Sequence, residues 1–255
     1  MEILTTTGIA LSSRVSGEAD IMCNFFTRDF GKRKFIFKGL KKSRKRSRSA
    51  TEPGSIATLV FYSREDRDAH IVNQFEVRKY HASISGDLSK IYHLFFMLEL
   101  VDRTCGYENP DEGIYRLLLA GIDTLSRTGS PAHLSAFFLL HLLRGHGILP
   151  DYRACAVCGK SDFAGFALDS TDLRPICGEC LLLSRPGGRQ RTALLQNAAR
   201  EFIRACVSMK FSAIDARRYP EPAVLDLLFS LTLFIESYFH TEIKSKSCLF
   251  AECSR

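Results

Sequence analysis

Apolar and polar residues alternate along the first third of the chain in short runs that are typical of β-strands. The runs are rich in Val, Ile, Phe and Tyr, and turn residues such as Gly17 and Gly31 separate them. They cover residues 5–15, 21–26, 34–37, 56–62 and 72–80. Five short strands predict a small β-barrel over residues 1–83, for which an OB-fold is one candidate among several small β folds.

Helical periodicity replaces this alternation after residue 88. Residues 91–101 are dense in Leu and Phe, and the Asn109-Pro110 pair followed by two acidic residues predicts a helix with Asn109 as its cap. Further helices are predicted over residues 133–144, 198–207 and 224–239. The last carries Asp226 and Glu236 among its apolar residues, so we expect a buried helix and not a membrane span.

Two Cys-x-x-Cys pairs interrupt the helical part of the chain. The predicted fold class is therefore α+β, with an N-terminal small β-barrel (1–83) and an all-helical domain in two parts (84–153 and 184–255) around a cysteine module (154–183). The chain has 255 residues, of which 45% are apolar, and this suffices for a substantial core. The first 20 residues show no signal peptide, so we expect a cytoplasmic protein.

The net charge of +7 is concentrated in one segment. Between residues 28 and 48, eleven basic residues occur with one acidic residue, so the segment carries +10 and the rest of the chain sums to −3. Such a segment predicts a polyanion-binding protein, with its cations as phosphate contacts. A nuclear-import signal is another explanation of so dense a run, although here it lies among predicted strands. The candidate contacts are Arg28, Lys32, Arg33, Lys34, Lys38, Lys41, Lys42, Arg44, Lys45, Arg46 and Arg48. The connection that follows the third strand, residues 41–54, is predicted to be an exposed, mobile loop.

Five phenylalanines lie among these cations, at positions 25, 26, 30, 35 and 37. Proteins that bind single-stranded nucleic acid combine a cationic groove with aromatic rings on which bases stack. Strand alternation offers a second explanation, in which most of these rings point into the barrel core. We favour the core explanation.

Four cysteines follow the pattern C-x2-C-x18-C-x2-C, which is typical of a tetrahedral four-thiolate zinc site. A redox dithiol needs only one such pair, and an iron–sulfur cluster is a further alternative. Four protein ligands leave no open position, so we expect one structural zinc ion. Its ligands would be Cys155, Cys158, Cys177 and Cys180. The other five cysteines occur singly and are expected to be reduced thiols without a chemical role: Cys23, Cys105, Cys206, Cys248 and Cys253.

The chain lacks the common nucleotide-binding, metalloprotease and hydrolase motifs, so we expect no catalytic residues and no enzyme activity. Three functions are compatible with the pattern. The first is a DNA-binding protein, and the second is an interaction scaffold that binds acidic protein tails. The third, a zinc-dependent nuclease or deaminase, would need an open metal site with a general base beside it, and no such motif adjoins the cysteines.

Several short motifs occur in a fixed order along residues 1–183. They are Gly17-Glu18-Ala19-Asp20, Phe26-Thr27-Arg28-Asp29-Phe30-Gly31-Lys32, Lys38-Gly39-Leu40-Lys41-Lys42-Ser43, Asn109-Pro110, the Leu142-Leu143 to Gly147 and Pro150 run, and Cys155-Ala156-Val157-Cys158-Gly159 with Cys177 to Cys180. In this order they resemble the RecO family of bacterial recombination mediators. Two positions depart from the family, since Glu52-Pro53-Gly54 stands for a Leu-x-Pro-Phe run and Leu173-Arg174 stands for a Gly-Gly pair.

The resemblance implies an N-terminal OB-fold, a helical domain with a zinc module, and a non-enzymatic role in DNA repair and homologous recombination. Proteins of this family bind single- and double-stranded DNA and anneal complementary strands. They act with RecR and single-strand DNA-binding protein to load the RecA recombinase. We therefore expect a nucleoid-associated protein with these partners and no membrane association.

Overall fold

The chain forms two compact units, residues 1–127 and 128–255. The structure is a computed structural model that describes residues 2–63, 68–163, 165–169, 172–183 and 194–251, so Cys253 lies outside the described residues. Its class is mixed α+β, as predicted. The predicted domain boundary between residues 83 and 84 falls within the first unit, because a helix that follows the strands packs against them.

Five strands of the first unit form a sheet that closes on itself as a barrel, in the order β1-β2-β3-β5-β4. They are β1 (Glu2–Ser16), β2 (Asp20–Thr27), β3 (Gly31–Phe37), β4 (Ile56–Ser63) and β5 (Ala69–Lys79). Strand β1 is long enough to pair with β4 over its first half and with β2 over its second half. Strand β3 pairs with β5 in parallel, which completes the ring. All five predicted strands are thus present.

Aromatic rings fill this barrel. Phe25, Phe35, Phe37 and Phe61 are at most 1% exposed. The ring of Phe35 lies edge-to-face against Phe25 and Phe61, with ring centres 5.6 and 5.1 Å apart. Each pair of this kind contributes about 0.5–1.5 kcal/mol beyond the burial of its surface. Phe26 is also fully buried. The core explanation is therefore confirmed for these phenylalanines, whose rings are not accessible to a base.

Three helices complete the first unit: α1 (Ala82–Ser85), α2 (Leu88–Thr104) and α3 (Glu112–Leu125). Helix α2 packs on β1 and β2. The predicted cap of α3 was wrong, because Asp111 and not Asn109 accepts the backbone N–H of Ile114, at 2.9 Å. Asn109 lies before the helix, with its backbone directly against Gly31 of β3.

The second unit is mainly helical. Its elements are α4 (Pro131–Gly145), β6 (Gly165–Leu168), β7 (Pro175–Cys177), α5 (Gly178–Leu183), β8 (Leu195–Gln196), α6 (Asn197–Ser208), α7 (Glu221–Tyr238) and α8 (Lys246–Ala251). Helices α4, α6 and α7 contact one another, and their apolar faces form the core of this unit. Within the described ranges, no helix combines the length and hydropathy that crossing a bilayer requires.

A small cysteine-containing segment lies between α4 and α6, as the sequence predicts. Its strands form a three-stranded sheet in the order β7-β6-β8, and α5 follows directly on β7. The sheet is short, with at most three paired residues between neighbouring strands. Because a sheet of this size buries little apolar surface, another interaction must hold the segment together.

Candidate metal centre and nucleic-acid interface

Four cysteine side chains converge in the second unit. Cys155 and Cys158 lie on the loop before β6, Cys177 ends β7, and Cys180 lies in α5. Their sulfur atoms all lie within 4.8 Å of one another, and the sulfurs of Cys158 and Cys177 are 3.7 Å apart. An ion about 2.3 Å from each of four sulfurs would hold them about 3.8 Å apart, because the ligands form a tetrahedron. The four cysteines could therefore hold one metal ion.

The loop from Cys155 to Lys160 is a tight turn. The backbone N–H of Gly159 donates to the carbonyl of Cys155 at 2.9 Å, and Gly159 has a φ of 73°. This left-handed backbone turns the chain back, so that the N–H of Cys155 donates to the carbonyl of Lys160 at 2.8 Å. A further bond, from the N–H of Ala156 to the carbonyl of Pro175 at 2.9 Å, joins the turn to β7. These hydrogen bonds join the loop that carries the first cysteine pair to the strand that leads into the second pair.

The four thiols differ in how readily they lose a proton. Burial acts to raise the pKa of Cys155, but backbone N–H donors, led by that of Cys177, outweigh burial and lower this pKa to about 6. The neighbouring thiol of Cys158, followed by burial, raises the pKa of Cys180 to about 12. One thiolate is stabilised by the backbone, whereas several thiolates together require a cation. Four sulfurs without a carboxylate or imidazole form a donor set that suits a thiophilic metal.

Leu173 adopts a left-handed backbone of the kind that glycine favours. Its φ is 57°, and its side chain is fully buried. Its N–H donates to the carbonyl of Asp169 at 2.8 Å, close to the point where β6 ends. The left-handed backbone costs a non-glycine residue about 1–2 kcal/mol. Burial of a leucine side chain contributes about 1.5–3 kcal/mol, which offsets this strain.

The eleven predicted phosphate contacts fall into three groups in the first unit. Arg28 lies alone on the turn between β2 and β3, with its guanidinium 3.5 Å from the carboxylate of Glu112. Three cations lie on β3, and seven lie on the connection between β3 and β4. Because β3 has seven residues, its two ends are separated by roughly 20 Å. The cations therefore do not form the single surface that their order along the chain suggests.

Two cations of β3 are enclosed by other residues of the first unit. Lys32 is 6% exposed, its ammonium donates to the carbonyl of Asp102, and it lies 3.6 Å from the carboxylate of that residue. The side chain of Arg33 is 14% exposed, with its guanidinium 3.5 Å from Glu108. A phosphate could reach these groups only by displacing their partners. Lys32 and Arg33 are therefore poor candidates for phosphate contacts, and the other nine cations remain as candidates.

Asp102, near the end of α2, connects two strands of the barrel. Besides Lys32 of β3, its carboxylate accepts a hydrogen bond from Asn24 of β2 at 3.3 Å. The ring of Tyr107 lies nearby, with the ammonium groups of Lys32 and Lys34 at 4.4 and 4.8 Å from its centre. No spacing in the sequence marks this cluster, because its members come from two strands, from the end of α2 and from the segment that follows α2.

The connection between β3 and β4 carries the remaining seven cations on an anchored segment. It contains short 3-10 helices at Leu40–Lys42 and Arg48–Thr51, and the side chains of Leu40 and Ala50 are fully buried in the barrel core. The loop predicted over residues 41–54 is exposed at its cations, but Ala50 and Thr51 near its end are buried. We call residues 38–48 the cationic connection. Its cations are exposed: Lys38, Lys41, Lys42, Arg44, Lys45, Arg46 and Arg48.

The second unit contains a groove of about 560 Å³ between the C-terminal ends of α4 and α6. Its lining includes three apolar and three cationic side chains: Leu149, Ile203, Val207, Arg144, Arg153 and Arg204. Arg153 pairs with Asp151 at 2.7 Å. The sequence predicts both helices but not this groove, because only their packing brings the two ends together.

Comparison with known proteins gives a consistent result over both units. The family model described as the N-terminal part of recombination protein O matches residues 1–81, and the model of its C-terminal part matches residues 85–247. Three similar proteins are each named DNA repair protein RecO. That of Caldanaerobacter subterraneus subsp. tengcongensis is 22% identical over 96% of this chain and 97% of its own length. That of Desulforamulus reducens is 23% identical over 96% and 93%, and that of Heliobacterium modesticaldum is 32% identical over 71% and 66%. This chain belongs to the recombination protein O (RecO) family.

Proposed function

We propose that this chain is a DNA-binding mediator of DNA repair and homologous recombination. In this proposal it binds single- and double-stranded DNA, anneals complementary strands and helps to load the RecA recombinase. The observation that carries the proposal is the cationic connection, which displays seven exposed cations within eleven residues. The name shared by its relatives, DNA repair protein RecO, supports the same role. We further propose that the closed five-stranded barrel is an OB-fold, a fold that often binds oligonucleotides.

The charge of the cationic connection is largely uncompensated. Among the described residues, only two of its seven cations lie within 4 Å of a carboxylate. Five positive charges therefore lack an acidic partner. Each phosphate that such a cation neutralises releases a counterion, and contacts to phosphate do not depend on the base. Binding should thus be strongly salt-dependent and nearly independent of sequence.

A salt titration of a labelled single strand tests this proposal. With about six or more phosphate contacts, affinity should fall on the order of a thousandfold between roughly 50 and 200 mM salt. The variant with Arg44→Ala and Lys45→Ala should bind more weakly, show a shallower salt dependence and anneal complementary strands more slowly. The matched control removes two exposed cations from α3 and its end, Arg116→Ala and Arg127→Ala. Equal losses in both variants, or a flat salt response, would contradict the proposal.

We propose that the four cysteines hold one zinc ion with a structural role. Zinc is the common occupant of four-thiolate sites at this spacing, and it would tie the short sheet, the turn before it and α5 together. A closed set of four ligands supports the absence of catalysis at this site. A His-x-Glu triplet does occur at residues 240–242, but it lies after α7 and is not part of the cysteine cluster.

A second candidate function, as an interaction scaffold, is favoured by the groove of the second unit. Arg144 and Arg204 have no carboxylate within 4 Å among the described residues, and they lie beside the apolar side chains of Ile203 and Val207. This combination suits an acidic tail with an apolar residue, and we propose single-strand DNA-binding protein as its source and RecR as a further partner. Arg204→Glu should weaken binding of an acidic tail peptide about tenfold, whereas unchanged binding would exclude the groove as the binding site of that peptide.

We also propose a location for the protein. Because DNA is its proposed main partner, we place it in the cytoplasm, at the nucleoid.

A further inference from the structure

We propose that Asp20 is a positioning residue for DNA binding, an acidic residue whose removal weakens the binding of a polyanion. This inference rests on the proposed function, because it concerns the cationic connection. Two acidic residues lie close to this connection, Glu18 in the turn between β1 and β2 and Asp20 at the start of β2. Coulomb's law alone predicts that neutralising either of them strengthens DNA binding. The contacts that each carboxylate makes lead to a different expectation.

Asp20 accepts two hydrogen bonds from the start of the cationic connection. Its backbone is fixed because it begins β2 and pairs with Ser16 of β1. One carboxylate oxygen accepts the backbone N–H of Gly39 at 2.8 Å, and the other accepts the ammonium of Lys38 at 2.7 Å. The Lys38 ammonium, followed by the Gly39 N–H, lowers the pKa of Asp20. Gly39 has a φ of 65° and directs the chain from β3 into the first 3-10 helix.

The residues held in this way also orient two arginines. The N–H of Lys41 donates to the carbonyl of Ala19 at 2.9 Å, so the turn contacts the connection at a second point. The guanidinium of Arg46 donates to the carbonyl of Lys38 at 2.5 Å, and that of Arg48 donates to the carbonyl of Lys41. The carbonyls that orient both guanidinium groups therefore belong to residues that the turn holds in place. Loss of the Asp20 carboxylate removes the first of these supports.

Glu18 makes a contact of another kind. Its side chain is 90% exposed, and its carboxylate lies 3.2 Å from the ammonium of Lys42, which is itself 64% exposed. An exposed pair of this kind adds little to stability but cancels one positive charge of the connection. Glu18→Ala is thus a matched control for Asp20→Ala. It removes the same charge two residues away and leaves the backbone contact at Gly39 in place.

The two substitutions should change DNA affinity in opposite directions. Asp20→Ala should weaken binding of a single strand about fivefold, because side chains of the connection must then be ordered during binding. Glu18→Ala should strengthen binding about twofold, because one more cation is available. Asp20→Asn should bind at least as tightly as the wild type. It keeps an oxygen for the N–H of Gly39, so this conservative variant separates the acceptor from the charge.

The experiment uses full-length protein and a fluorescently labelled oligothymidylate, with affinity read from anisotropy. Limited trypsin digestion reports the order of the connection without DNA. Cleavage within residues 38–48 should be faster in Asp20→Ala and unchanged in Glu18→Ala and Asp20→Asn. Should Asp20→Ala fail to fold, Asp20→Gln replaces it, since its longer side chain misplaces the acceptor. In that case affinity should fall below that of Asp20→Asn.

The possible outcomes separate this inference from the proposed function. If Asp20→Ala, or Asp20→Gln in its place, binds DNA as tightly as Glu18→Ala, the positioning role is overturned. The variant with Arg44→Ala and Lys45→Ala still decides whether the connection binds DNA. If that variant binds like the wild type, the proposed function fails, whatever the result at Asp20. A loss at Asp20→Ala together with a gain at Glu18→Ala supports the inference.

Discussion

Gly31 has a left-handed backbone, with a φ of 65°, and the backbone of Asn109 lies directly over its α-carbon. A β-carbon at this position would lie 2.8 Å from the backbone nitrogen of Asn109 and closer still to its carbonyl group. Glycine is therefore needed at position 31 for two reasons, its left-handed φ and the close approach of the Asn109 backbone. The contact brings together two motifs that the sequence shows only as separate, residues 26–32 and residues 109–110.

The first prediction concerns the substitution Gly31→Ala. We expect it to lower the free energy of unfolding by about 3–5 kcal/mol, because the strained φ and the clash with Asn109 act together. The control is Gly17→Ala, where φ is 66° but an added β-carbon would meet nothing within 4 Å. That variant should lose only about 1–2 kcal/mol. Urea denaturation of both variants measures the difference, and equal losses would show that the approach of Asn109 is unimportant.

Among the elements, the cysteine segment depends on α6 as well as on its thiols. Arg200 of α6 is 2% exposed, and its guanidinium donates to the carbonyls of Arg153 at 2.8 Å and of Ser161 at 2.5 Å. The same guanidinium lies 3.8 Å from the centre of the Phe163 ring. These contacts lie on both sides of the first cysteine pair. Arg200 thus attaches the segment to the helical core through contacts that do not involve the thiols.

The second prediction concerns the cysteine cluster. Cys155→Ser should lower the metal content from about one ion per chain to nearly none, because the remaining three thiols cannot close the site. A loss on the order of 4 kcal/mol would lower the melting temperature by about 10 °C. Cys248→Ser, which changes an exposed cysteine outside the cluster, serves as the control and should alter neither quantity. Metal analysis and thermal melts measure both, and a full metal complement in Cys155→Ser would contradict the four-ligand site.

At the scale of the whole molecule, the sequence predicts what depends on local pattern. Strand alternation placed Phe25, Phe35 and Phe37 in the barrel core, and the cysteine spacing identified a cluster whose sulfurs do converge. Both follow from the geometry of a few neighbouring residues. The ion pairs that Lys32 and Arg33 form could not be predicted in this way. Their partners lie about 70 residues further along the chain, and no short-range spacing reports them.

The third prediction concerns stability against acid. His93 of α2 is buried, and burial lowers its pKa to about 4, although Asp87 acts in the opposite direction. The unfolded chain binds this proton at a pKa of about 6.5, so stability is complete above that pH and is lost as the pH falls toward 4. The loss from this group is at most about 3 kcal/mol. Unfolding free energies of the wild type and His93→Gln at pH 7 and 4.5 test this. The variant should show the smaller loss, and equal losses would refute the role of His93.

The division of the chain at residue 127 has a consequence for the order of events during synthesis. All four cysteines of the cluster lie after this point, and Cys180 is the last of them. At a translation rate of about 5–20 residues per second, the ribosome adds Cys180 roughly three to ten seconds after Arg127. The first unit therefore has an interval in which to fold while the four cysteines are still being added. If they hold a metal ion as proposed, scarcity of that metal in the cell would act on the second unit, which contains all four cysteines.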